Sequence, residues 1–141
     1  MADFFTHFSC VLDVGTPDNA ARALELYQAS TEENAREDVP SDGFLLSIQP
    51  EHGGTTLWIR DEVTGDPQQV ILFVQRCAEA FGLTGCWGFQ WANTCSRPRV
   101  NAFGGGAHVL DLATGETVAR TDTNGWLART LAAPRGKRGR R

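Results

Sequence analysis

Lysine is all but missing from this chain of 141 residues: Lys137 stands alone against twelve arginines, and methionine and tyrosine each occur once. The arginine bias suits a GC-rich bacterial source, with a phage or mobile element as the expected carrier. No stretch reaches the roughly 20 consecutive apolar residues that a membrane-spanning helix needs, so no membrane contact of that kind is expected. The opening MADFFTHFSC has neither a basic leader nor an intact apolar run, and the expectation is a cytoplasmic protein. The cysteines Cys10, Cys77, Cys86 and Cys95 lack the spacing of a secreted disulfide framework and are expected to be reduced thiols. Neither Cys-x-x-Cys nor His-x-x-x-His occurs, so no metal site and no cofactor are expected.

What is present bounds the fold. A chain of this length can bury about 68–70% of its unfolded surface in one core without disulfides or metals. Its 41% hydrophobic and 21% charged residues are ordinary for a folded protein. The expected organisation is one α+β domain over residues 1–133 and a basic, flexible tail over 134–141. Charge is uneven along the chain. Residues 1–66 carry 13 acidic and 3 basic groups, net −10; residues 67–134 are near neutral at +1; the tail carries +5. An acidic first half attracts basic partners, and a basic tail attracts nucleic acid or acidic ones.

The pattern of elements is readable from periodicity. Residues 4–14 alternate with period two and predict one strand that Gly15 ends. Thr16-Pro17-Asp18 is a cap, a proline and an acid in the order that starts a helix, with Ala20, Ala23, Leu24 and Tyr27 along one face. Strands at Phe44–Gln49 and Thr55–Arg60 flank a turn and predict a hairpin. Asp66-Pro67 starts a second helix, whose apolar stripe is Val70, Val74, Cys77, Ala78 and Phe81 and whose terminator is Gly82. Cys86–Asn93 predicts a strand with Trp87, Phe89 and Trp91 on one face. Strands at Ala107–Leu112 and Thr117–Thr121 form a further hairpin, and Asp122 or Thr123 caps a short helix through Trp126, Leu127 and Leu131. The order β-α-β-β-α-β is that of a ferredoxin-like split βαβ sandwich, here with an added C-terminal hairpin and short helix.

The residues of greatest interest lie between Cys86 and Leu112. Trp87 and Trp91 are expected to pack into the core, and become a binding platform if they are exposed instead. Arg97 and Arg99 flank Pro98, and guanidinium groups suit phosphate and carboxylate. Gly104, Gly105 and Gly106 offer either a nest of backbone amides for an anion or, more in keeping with glycine in a strand, a close approach of chain to a neighbouring backbone or ring. His108 follows directly. Cys95 with His108 is the one pairing that resembles a nucleophile and a base, and no protease signature surrounds it. His7 and His52 add little. The tail residues Arg135, Lys137, Arg138, Arg140 and Arg141 can make salt-sensitive contacts with nucleic acid.

Without an assembled catalytic set, the leading expectation is a non-enzymatic module that binds a protein partner through its acidic half or the Arg97–His108 loop. Such a module acts by occupancy. The rival is a nucleic-acid or nucleotide-phosphate binder using Arg97, Arg99, the Gly104–Gly106 segment and the tail. A thiol-dependent enzyme using Cys95 ranks third.

Overall fold

Residues 4–14 do not form one strand, because the chain changes sheets at Phe8. In the computed structural model, which describes residues 3–36, 43–100 and 102–134, β1 (Phe4–His7) ends one residue before β2 (Ser9–Asp13) begins. The Phe8 backbone N–H donates to Asp61 Oδ1 at 2.9 Å, and the Asp61 N–H returns to the Phe8 carbonyl at 3.1 Å. On the far side of β1, the Gly65 N–H donates to the Thr6 carbonyl and the Thr6 N–H to Thr64 Oγ1. That loop meets the backbone groups that a neighbouring strand would otherwise satisfy. Phe8 itself is buried, and its ring lies so close to Gly65 that a Cβ there would collide with it.

The remaining elements follow the expected order with small shifts at their ends. Helix α1 (Pro17–Arg36) starts under Thr16, whose hydroxyl accepts the Asn19 N–H. Strand β3 (Leu45–Gln49), a 3₁₀ turn at Pro50–His52 and strand β4 (Thr56–Arg60) form the hairpin. Helix α2 (Pro67–Phe81) is capped by the Asp66 carboxylate and closed by left-handed Gly82. Strand β5 (Cys86–Cys95) is followed by β6 (Gly104–Asp111), which starts three residues earlier than its sequence suggests, then β7 (Thr117–Asp122) and α3 (Thr123–Ala132).

The architecture is α+β with two antiparallel sheets and three helices. One sheet runs β1-β5-β6-β7 and the other β2-β4-β3. A single sheet carrying the first strand whole was the expectation, and the turn of the backbone at Phe8 divides it into two. The sheets share one apolar cluster with the helices: Leu12, Val14, Leu57, Ile59, Phe89 and Leu110 meet Ala20, Ala23, Val70, Phe73, Val74 and Cys77. Leu57, Ile59, Val70 and Val74 are fully out of solvent, and each contributes about 1.5–3 kcal/mol by its burial. The Trp87 indole N–H donates to the Val11 carbonyl at 2.8 Å and ties the two sheets together beside this core. The basic tail from Arg135 lies outside the described residues.

No helix among the described residues is long and apolar enough to cross a membrane.

Candidate functional site

Sheet register lines up the side chains that face α2. On β5, β6 and β7, Phe89 stands opposite His108 and His108 opposite Arg120; in the next row Trp91 stands opposite Gly106 and Gly106 opposite Asp122. A register shift between Val109 and Leu110 sets this alignment. The chain then turns directly into α3, whose cap is Asp122, its carboxylate accepting the Gly125 N–H. Arg129 on α3 thereby meets the same region. The result is a cleft of about 370 Å³ lined by Trp91, His108, Arg120 and Asp122 from the sheet, Gln68 and Ile71 from α2, and Arg129 from α3.

The polar groups of the cleft are unevenly satisfied. His108 is buried, and its Nε2 pairs with Thr117 Oγ1 at 2.8 Å. Desolvation, with the Arg120 charge beside it, holds the imidazole below its ordinary value near 6.5, so it is neutral at physiological pH. Among the described residues, His108 Nδ1 and the Trp91 indole N–H have no hydrogen-bond partner, and neither Arg120 nor Arg129 has an ion-pair partner. The start of α2 adds no free amide of note: Pro67 has none, and the Gln68 N–H is held by Asp66. Positive charge in the cleft therefore comes from two guanidinium groups.

The residues singled out in the sequence are distributed rather than gathered. Trp87 and Trp91 are half-buried and pack against the core, so they are no open platform. Gly104, Gly105 and Gly106 lie within β6, where the ladder to β5 takes up their backbone, and they form no anion nest. Their small size has a packing cause: a Cβ on Gly105 would strike the Trp91 carbonyl, and one on Gly106 would strike the Trp91 indole. Arg97 and Arg99 are exposed in the turn after β5 and do not line the cleft. Cys95 pairs with Phe4 at one end of β5, whereas His108 pairs with Phe89, six residues back along that strand, a distance of about 20 Å by strand rise. The two cannot act as nucleophile and base. Burial pushes the Cys10 and Cys77 thiols up to about 12, which leaves them weakly reactive. No group of metal-ligating side chains exists among the described residues.

Arg120, Arg129 and Gln68 were not anticipated. Arg120 was visible only as one residue of a short strand, and its side of the sheet depends on the register shift, which leaves no signature in composition.

A second surface lies at the C-terminal end. None of the residues of α3 is buried; Trp126, Leu127 and Leu131 are 56%, 51% and 73% exposed, and Val118 on the edge strand β7 is 57% exposed. Leu127 and Leu131 are one turn apart, and Trp126 lies about 100° round the helix from Leu127.

No family model matches the chain, and no curated protein or solved structure matches it either.

Proposed function

We propose that this protein is a non-enzymatic protein-interaction module that acts by occupying a partner through the face formed by β7 and α3. The observation that carries the reading is the exposure of Trp126, Leu127 and Leu131 on a helix that buries none of its own residues. Large apolar side chains clustered in the open mark recognition surfaces, and tryptophan is prominent among residues that dominate binding. The exposed side chains are apolar, so the matching surface on the partner is apolar as well. The absence of a Cys95–His108 pairing removes the support for a thiol-dependent enzyme.

The test is affinity capture from nuclease-treated lysate with the chain ending at Pro134, run beside its Trp126→Ala/Leu131→Ala variant. A stoichiometric protein retained by the parent and lost from the variant, at equal melting temperatures, is the expected outcome. Equal retention by both removes this face from the function.

Exposed Arg97, Arg99 and Phe103 give a second reading some support, that of a nucleic-acid binder assisted by the basic tail. Steep loss of affinity with salt and with deletion of residues 135–141 distinguishes it.

Two finer readings belong with these. The pairing sequence β5 to β1, β2 to β4, β4 to β3 supports a split βαβ arrangement of the ferredoxin-like kind, with its first strand broken at Phe8 and the β6–β7 hairpin and α3 added. Four free cysteines support a reducing compartment such as the cytoplasm.

A further inference from the structure

We infer that the cleft between α2, the β5–β7 surface and α3 is a binding site for a small phosphorylated ligand with a flat ring, of the nucleoside monophosphate class, its phosphate held between Arg120 and Arg129. This site is separate from the exposed face of α3 and does not depend on that reading.

Four features of the cleft lead there. First, two guanidinium groups line one concavity with no carboxylate paired to either among the described residues. Both are open to solvent, and each guanidinium carries a planar fork of donors matched to a phosphate. Second, the cleft volume of about 370 Å³ falls in the range of small-ligand pockets and at its lower end, which suits a mononucleotide rather than a polymer. Third, Trp91 and His108 contribute aromatic rings to the lining, beside Gln68 and Ile71. Half-buried Trp91 supplies ring surface and a free indole N–H that can meet the polar edge of a base, while buried His108 only backs the wall. Fourth, Gly106 permits the placement of Trp91, since any side chain there would displace the indole.

The charge balance favours one phosphate. His108 is neutral, as argued above, and the Asp122 carboxylate also lines the cleft while capping α3. Two guanidinium groups against one carboxylate leave a net positive lining. That balance suits a phosphate monoester and disfavours a polyphosphate, whose further charges would face Asp122 unpaired.

The experiment is a titration of the full chain followed by calorimetry and by the ¹⁵N–¹H signals of the tryptophan indoles, with Trp91 assigned from Trp91→Phe. The probes are adenosine and uridine monophosphates, ribose 5-phosphate and inorganic phosphate. The expected result is a saturable shift of the Trp91 indole signal with at least one nucleotide, which also binds more tightly than ribose 5-phosphate. Arg120→Gln and Arg129→Gln should each weaken that binding about tenfold or more, as the loss of a charge-assisted hydrogen bond implies. Both arginines are exposed, so melting temperatures should hold; Arg→Lys variants at the same positions keep the charge and serve if a Gln variant fails to fold. No saturable shift with any probe up to about 10 mM, beyond the weak millimolar range of affinity, overturns the site. Ribose 5-phosphate binding as tightly as the nucleotides overturns the ligand class. Binding that survives both arginine substitutions overturns the assignment of the phosphate.

Discussion

His7 Nδ1 lies 2.9 Å from Asp61 Oδ2, and the other oxygen of the same carboxylate accepts the Phe8 backbone N–H at 2.9 Å. One side chain therefore holds both the last residue of β1 and the residue at which the backbone leaves one sheet for the other. His7 is held from its second nitrogen too, by Thr94 Oγ1 on β5. The contact joins the loop after β4 to both strands of the four-stranded sheet that meet there.

Acid should loosen this joint through Asp61. Burial alone raises its pKa, but the hydrogen bonds from His7 and the Phe8 N–H, with the His7 charge, outweigh that and leave it below its ordinary value of 3.8. A carboxylate with a lowered folded-state pKa contributes stability that is fully present above the ordinary value and is lost as pH falls through the lowered one. Asp61→Asn keeps an acceptor for the Phe8 N–H but removes the charge, and should cost about 1.5–3 kcal/mol at neutral pH, the range for hydrogen bonds to charged groups. Urea unfolding of both proteins at neutral pH and in acid checks this. The gap between them should narrow in acid, and a gap of constant size would assign the cost to packing instead.

Gly106→Ala should destabilise the protein by about 1–3 kcal/mol, the usual cost of overpacking. The colliding atoms belong to the six-membered ring of the Trp91 indole. The same substitution made in a Trp91→Phe background should therefore cost less, and a double-mutant cycle measured by thermal unfolding reads the coupling. Additive effects would mean that the strain falls on the Thr121 carbonyl, the other close neighbour.

The four thiols should separate into classes in a native-state titration with an aromatic disulfide reagent. Cys86 is exposed and should react first, and Cys95 is half-buried and should follow. Half-buried Cys10, its thiol pushed up to about 12, should react more slowly than Cys95, and buried Cys77 only after denaturant is added. Rapid modification of all four in the native protein would contradict the packing of β2 and α2.

Local chemistry explains what could be read from the sequence. The start of α2 was visible because Asp66-Pro67 states a cap and a fixed φ within two residues, and its end because Gly82 takes the left-handed region that closes the helix. The β6–β7 turn was visible for the same reason, with Gly115 at φ 76°. The break at Phe8 was not. The residues around it alternate as in an unbroken strand, and what bends the chain is Asp61, 53 residues away in sequence. The cleft was half legible: Trp91 and His108 stood out by residue type, but Arg120 and Arg129 reach them only through a register shift and the turn into α3. The glycines of β6 follow the favoured of their two readings, since they let a backbone and a ring approach and do not cradle an anion.

The division of the first strand between two sheets also orders events at the ribosome. Phe4 has its partner at Cys95 and Ser9 has its partner at Arg60. Strands β1 and β2 are therefore made well before their partners, and synthesis at about 5–20 residues per second keeps β1 waiting for several seconds. During that interval Phe4, Phe5 and Phe8 travel unpaired within a segment, residues 1–66, whose charge is net −10. Repulsion between copies of that acidic segment is a guard against association at the moment when the strand is most open to it.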